Sequence, residues 1–415
     1  CPALWLASET RDSRIYQDIS VPDLVQKVVA ELLGDRQRRI RRELAHPDDY
    51  APHEYLVQHR ESHWDFIQRL CHEEGIFLYF DNDEDEHEVL VLADSNENRP
   101  LLRPDHDGVV EYEDNETRAE GREVATRARR HRRVGATDAA VRSFDWTNPE
   151  LDVHREHTER VDWRGARLER YEHDHAVRHR DYEEGGGAYR AHNADRIARM
   201  QTERLDLARQ RWTIETTVVT ALPGHVFELR GADLYDDRYL VVAVQATGRA
   251  DDSGGVYTNT LHCIPADLPY RPPAPERRRM PGPETATVVG PADQEIHTDQ
   301  HGRIRVHFHW DRHGQRNEHS SAWIRVAQGW AGQGWGMLFI PRIGMEVIVS
   351  FLGGDPDRPV VTGCLYNGQH RPPYLDDEPT KSTIKTNSSL GGEGYNELRF
   401  EDKAGDEEIW IHAQK

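Results

Sequence analysis

Residues 299–363 constrain the fold more than any other part of this chain. They run Asp-Gln-His-Gly-Arg-Ile-Arg-Val-His-Phe-His-Trp-Asp-Arg, pass through Ala-Trp-Ile-Arg-Val-Ala-Gln-Gly-Trp-Ala-Gly, and close on Phe-Ile-Pro-Arg-Ile-Gly-Met-Glu-Val-Ile-Val-Ser-Phe-Leu-Gly-Gly-Asp-Pro-Asp-Arg-Pro-Val-Val-Thr-Gly. Short alternating strands separated by Gly, Pro and Asp turns at near-regular spacing are the pattern of a small closed β-barrel. A barrel of that size accounts for only part of the 415 residues, so several domains are expected.

The formal net charge is −21, from 74 Asp and Glu against 53 Lys and Arg. Such a chain repels phosphate backbones, which argues against nucleic acid as a partner. The basic residues are almost all Arg, with Lys only at 27, 381, 385, 403 and 415, a bias that carries no functional reading. Cys1, Cys71, Cys263 and Cys364 are widely spaced and form no C-x-x-C pair. They suggest neither a disulfide framework nor a zinc site, consistent with a reducing compartment. No apolar run approaches the roughly 18 residues of a membrane span, and residues 1–10 lack the form of a signal peptide. The opening on Cys1 instead of methionine suggests a fragment or a trimmed product.

Local patterning places several elements. Ser20, Pro22 and Asp23 open a helix whose stripe is Leu24, Val25, Val28, Val29, Leu32 and Leu33, stopped by Gly34. Ser62 with Asp65 opens a second helix through Phe66, Ile67, Leu70 and Cys71 to Gly75. Residues 76–80 and 89–92 read as buried strands, 189–207 as a helix, and 212–219 and 238–244 as strands. Residues 103–150 are charge-dense and weakly periodic, and no element is assigned there. The proline-rich stretch 269–283 is a stiff linker, the barrel runs from about 284 to 370, and Pro372-Pro373 sets off the tail.

In the tail, 397–401 and 408–413 read as two strands joined by a turn at 402–406. An isolated hairpin is marginal in water, so the row Leu398, Phe400, Ile409 and Ile411 needs partners. These come from further repeats or from the same row on neighbouring chains. The four residues are the predicted interface.

The barrel wording resembles the oligonucleotide/oligosaccharide-binding (OB) barrel of the VgrG family, the spike proteins of bacterial type VI secretion systems. Glu54-Tyr55-Leu56-Val57-Gln58-His59-Arg60-Glu61-Ser62 with Glu73-Glu74-Gly75-Ile76 is similar to the family's N-terminal segment. Pro223-Gly224-His225-Val226-Phe227-Glu228-Leu229 resembles its second hub barrel, and Asn396-Glu397-Leu398-Arg399-Phe400-Glu401-Asp402 the start of its needle. His63 departs from the acidic residue expected there, and 103–145 match poorly. The resemblance implies a mainly β, multi-domain chain with an α+β hub, an OB-fold barrel and the start of a trimeric β-helix needle. It divides the chain into 1–20, a remnant of the first hub barrel; 21–150, the hub α+β region; 151–268, the second hub barrel; 269–283, the linker; 284–370, the OB barrel; and 371–415, the needle start. It further implies a homotrimer docked on a tube of Hcp hexamers and tipped by a PAAR-type protein with effectors. Such a spike waits at the baseplate in the bacterial cytoplasm and is then secreted or injected into a target cell. Most of the needle is expected beyond residue 415. The central spike of a contractile phage shares this plan and is the alternative within the class.

Other chemistry is weighed against this. His307, His309 and nearby His313, and separately His173, His175 and His179, invite a metal site and the alternative of a His-dependent metallohydrolase. Polar barrel and surface positions explain them far better, and no H-E-x-x-H or hydrolase triad occurs. Asp355 and Asp357 offer paired carboxylates, but flanking Pro356 they read as turn chemistry. Phe308, Trp310 and Trp323 could stack on bases or sugars; an acidic chain favours a structural or interface use. Trp330 and Trp335 read as loop anchors between subunits or strands. No catalytic, cofactor or metal-binding residue is assigned, and the expected role is mechanical and not enzymatic.

Overall fold

The computed structural model describes residues 3–34, 39–82, 88–102, 106–119, 121–144, 146–147, 149–150, 153–158, 167–173, 191–251, 254–273, 275, 278–375 and 378–415. The chain is mainly β and divides into two compact units. The first comprises Cys1–Arg11, Ile19–His53 and Ser62–Glu276; the second comprises Asp12–Asp18, Glu54–Glu61 and Arg277–Lys415.

In the first unit, two helices form where their caps dictate. Ser20 Oγ accepts from the Asp23 amide at the start of Val21–Leu33, and Ser62 Oγ accepts from the Asp65 amide, at 3.0 Å, at the start of His63–Glu73. His63 itself meets the Thr10 hydroxyl at 2.9 Å. Leu24, Val25 and Val28 of the first helix, and Phe66, Ile67 and Leu70 of the second, are almost fully buried. A small sheet, ordered Arg39–Glu43, Glu88–Ala93, Phe77–Asn82, places Phe77, Tyr79, Val89, Val91 and Ala93 in one cluster. A third helix, Ala191–Arg209, packs Ala194, Ile197, Ala198 and Met200 around Val141 of a second small sheet.

The larger sheet of this unit has six strands, ordered Val109–Glu111, Val226–Arg230, Asp237–Asp251, Gly254–Pro265, Gln210–Thr216 and Ala125–Arg132. A parallel bridge between Tyr112 and Ala125 joins its two edge strands and closes it into a barrel. Because side chains alternate across a strand, Phe227, Tyr239, Val241 and Cys263 fill the main core while Val226, Leu240 and Ile264 pack with Leu207 of the third helix. The region 103–150 therefore contains strands at Val109–Glu111, Ala125–Arg132 and Asp138–Ser143 that local periodicity does not reveal. Ala-Thr-Arg-Ala-Arg-Arg-His-Arg hides its pleat because mostly Arg and His occupy the exposed positions. Conversely, the strand expected over 212–219 ends at Thr216, whose hydroxyl accepts from the Val218 amide and turns the chain.

Gly224 has φ +86°, and a Cβ there would stand 2.4 Å from the buried Tyr79 ring. Gly224→Ala combines left-handed strain with overpacking and is expected to cost roughly 2–4 kcal/mol; thermal melting measures it.

The second unit holds a five-stranded sheet ordered Arg305–Phe308, Glu284–Val289, Glu346–Phe351, Pro359–Leu365, Arg325–Val326. Reciprocal bonds between Ile304 and Ile324, at 3.0 and 2.8 Å, join the first and last strands and close the ring. The last pair runs parallel and the other pairings in the sheet antiparallel, which is the OB topology. Ala286, Val288, Ile304, Val306, Phe308, Ile324, Val347, Val349 and Val361 form its core. The short strand pair Arg11–Tyr16 and Leu56–Ser62 brings Tyr55 and Val57 against Ala322.

Candidate assembly surface

The tail is a three-stranded antiparallel sheet of Lys381–Asn387, Tyr395–Glu401 and Glu408–His412. Its register aligns Ile384 with Leu398 and Ile411, and Ser382 with Phe400 and Ile409. Leu398, Phe400, Ile409 and Ile411 therefore share one face, and Ile384 extends it. Leu398 is half-buried, whereas Ile384 is 48% exposed, Phe400 38%, Ile409 69% and Ile411 78%.

The opposite face is covered within the chain. Tyr374, just after the Pro372-Pro373 pair, lies under Lys381, Lys385 and Arg399, whose cationic groups stand 5.2, 5.3 and 5.7 Å from its ring centre. Arg399 also lies 4.3 Å over Trp410, and Lys385 4.1 Å over Tyr395. Glu397 is buried at the centre of this face and accepts from Thr383 Oγ1 at 2.7 Å and Tyr374 Oη at 2.9 Å. Burial alone would raise its pKa, but those hydrogen bonds and the charges of Lys385 and Arg399 hold it below the usual carboxylate range. One face is thus satisfied by its own polar network, while the other presents aliphatic and aromatic surface to water. A sheet of that kind gains from burying the second face.

Ile384 and Tyr374 were not legible as site residues. Lys-Ser-Thr-Ile-Lys-Thr-Asn carries a single apolar residue, so it shows no strand alternation until pairing with Tyr395–Glu401 reveals its register.

The remaining candidates are dispersed. His307 lies within the barrel strand Arg305–Phe308 and is buried, which lowers its pKa; His309 lies in the following turn and is exposed, so the two do not share a face. His313 bonds Asp12 at 2.9 Å. His173 bonds the Arg142 carbonyl at 3.2 Å, and His175 and His179 lie outside the described residues. Among the described residues no three His, Cys, Asp or Glu side chains gather as a metal site. The Asp357 amide donates to Asp355 Oδ1 at 3.0 Å, a turn contact, and Asp357 Oδ1 accepts from the Val57 amide at 2.7 Å. Phe308 is fully buried and stacked at 5.0 Å on Trp310; Trp323 packs at 4.7 Å on His297 and at 4.7 Å under Arg305. These three aromatics are engaged by the barrel itself.

The first unit contains one further concentration of charge. Glu74, just before Gly75, is bound by Arg196 of the third helix and lies 3.0 Å from His53 Nε2. Burial opposes ionisation of Glu74, but Arg196 and His53 hold its carboxyl well below the usual range. Arg271 pairs with Glu203 at 2.6 Å and donates to the Gly75 carbonyl at 3.1 Å. The Glu-Gly turn is thus clamped by buried guanidiniums and serves as a structural lock.

Comparison with known proteins gives three consecutive matches. Residues 1–252 match the phage tail baseplate hub (GPD) family, 285–366 the type VI secretion system/phage-baseplate injector OB domain, and 382–415 the bacteriophage T4 gp5 C-terminal trimerisation domain. Over its whole length the chain is 37% identical to each of the type VI secretion system spike proteins VgrG1b and VgrG1a of Pseudomonas aeruginosa, spanning 55% and 64% of their lengths. It is 33% identical to the actin cross-linking toxin VgrG1 of Vibrio cholerae, spanning 37% of it. The chain thus covers about half to two thirds of the Pseudomonas relatives. An Escherichia coli type VI secretion component, described as structurally similar to the T4 tail proteins gp27 and gp5, superposes with a TM-score of 0.58 at 21% identity, covering 88% of this chain and 76% of that one. At that identity the superposition speaks for the fold alone.

Proposed function

Because the chain belongs to the VgrG family of phage-tail-like baseplate hub proteins, we propose that three copies of it form the base, collar and first needle strands of a membrane-puncturing type VI secretion spike. The observation that carries this is the tail sheet, whose polar face is covered by Tyr374 while Leu398, Phe400, Ile409 and Ile411 are left facing outward. Three such faces turned to a common axis bury one another, and each supplies the surface that the other two lack. The needle grows from that axis.

The work of such an assembly is mechanical. The hub seats on a tube of Hcp hexamers, the OB barrels narrow three hubs into a shaft, and the needle carries a PAAR-type tip and effectors. It waits at the baseplate in the cytoplasm and leaves the cell when the sheath contracts. A relative named as a toxin, matched over 37% of its length, is in keeping with this division. No catalytic role is assigned to these residues.

Light scattering on a sizing column tests the reading. The expected mass of residues 1–415 is three times 47.9 kDa. A monomer at micromolar concentration would overturn assembly through this tail.

A further inference from the structure

The geometry points to a second assembly surface: we propose that the barrel hairpin spanning residues 330–339 is a packing finger that seats against a neighbouring copy of this chain in the same assembly. The inference rests on the trimeric reading above and adds a contact to it.

Residues 326–341 contain no charged side chain, in a chain of which 31% is charged. Within that span Trp330 is 62% exposed, Trp335 57%, Met337 45%, Leu338 71% and Phe339 50%. A run of exposed Trp, Met, Leu and Phe without charge has the composition of the buried centre of an interface.

The finger is built, not loose. Ala331–Gly332 pairs with Trp335–Gly336, and the Met337 amide donates to the Trp330 carbonyl at 2.8 Å. The Gln328 amide group brackets Phe339, donating to its carbonyl at 3.2 Å and accepting from its N–H at 3.0 Å. The Trp330 and Trp335 rings meet edge-on at 5.0 Å. A Cβ on Gly332 would stand 2.4 Å from the Trp335 indole, and one on Gly336, at φ +134°, 2.4 Å from the Trp330 carbonyl oxygen. Gly332 lets the Trp335 indole fold over the backbone, and Gly336 lets the two arms of the hairpin approach closely. A surface already ordered in this way loses little conformational freedom on docking.

Continuity with the tail identifies the occupant. Arg342, directly after the finger, donates to the Asn387 carbonyl at 2.9 Å where the first tail strand ends. Glu295 accepts from the Gly391 amide at 2.6 Å in the next turn. The finger thus rises near the foot of the tail sheet, and three tails on one axis bring three fingers around that axis. A lipid surface would require cationic residues at the tip, and the tip has none.

The test places the photoreactive residue benzoylphenylalanine at Leu338 in the full 415-residue chain. Irradiation is expected to give adducts of two and three chains on a denaturing gel. A trimer by light scattering with no adduct would overturn the finger contact and leave the tail reading standing. Adduct in a sample that never exceeds two chains would overturn the trimeric tail and support the finger. A monomer without adduct would sink both. Pelleting with phosphatidylcholine–phosphatidylglycerol vesicles, without interchain adduct, would assign the finger to lipid and overturn the proposal.

Discussion

Phe400→Asp combined with Ile411→Asp is expected to convert the trimer of residues 1–415 into folded monomers. In one chain both side chains are exposed, at 38% and 78%, so the substitutions leave the monomer's own packing intact. In the proposed trimer each would be buried three times over. At about 1.5–3 kcal/mol for burying a fully exposed apolar side chain, the exposed fractions of these six side chains correspond to roughly 5–10 kcal/mol of assembly free energy. The replacement would also crowd six carboxylates at one axis without partners. Light scattering should report a single-chain mass while the far-ultraviolet circular dichroism stays unchanged. A turn variant, Lys403→Ala, on an exposed residue between the second and third tail strands, should remain trimeric. Survival of the trimer in the double variant would place this row outside the interface.

Glu74→Gln should strongly destabilise the hub unit. The Glu74 side chain is 14% exposed, with Arg196 at 12% and His53 at 11%. Removing one member of a buried pair strands the other charge and costs about 3–5 kcal/mol. At about 2–4 °C per kcal/mol for a unit of this size, the melting temperature should fall by roughly 10 °C. Glu228→Gln, which removes an exposed pair with Arg230, should leave it unchanged.

The same lock gives the protein an acid limit. Because the folded Glu74 carboxyl is held below its ordinary 4.5, its contribution is complete above pH 4.5 and is lost as the pH falls toward the folded value. Asp12 behaves alike from 3.8 downward. Burial opposes its ionisation, but Arg312 and His313 bring it down to about 2. Melting temperature should therefore be flat near neutrality and decline below about pH 4.5, and Glu74→Gln should blunt that decline. An identical acid profile in the variant would remove Glu74 as its source.

The two units put different kinds of interaction to use. The hub closes its barrel around Phe227, Tyr239 and Val241 and clamps its turn at Glu74-Gly75 with buried ion pairs. The tail sheet covers one face with cations over aromatic rings and leaves the other open. Rigidity within the chain and incompleteness at one surface are both properties that the proposed spike requires.

Much of this was written locally. Ser20 and Ser62 cap their helices because a serine hydroxyl satisfies an otherwise free amide, a contact made within three residues. The parity of 398, 400, 409 and 411 places them on one face because strands have a period of two. The alternating strands between 299 and 363 announced themselves for the same reason. What the sequence alone left open were pairings across long stretches of chain. Tyr112 with Ala125 and Ile304 with Ile324 close the two barrels. Ile384 joins the apolar row only once Lys381–Asn387 is in register, and Tyr374 covers the polar face from outside the sheet. The strand Ala125–Arg132 is held by its neighbour Gln210–Thr216 and not by its own composition. Local hydrogen bonding and pleat periodicity depend on near neighbours and are therefore legible in sequence; strand partnership depends on surfaces brought together by folding, and only the tertiary structure supplies it.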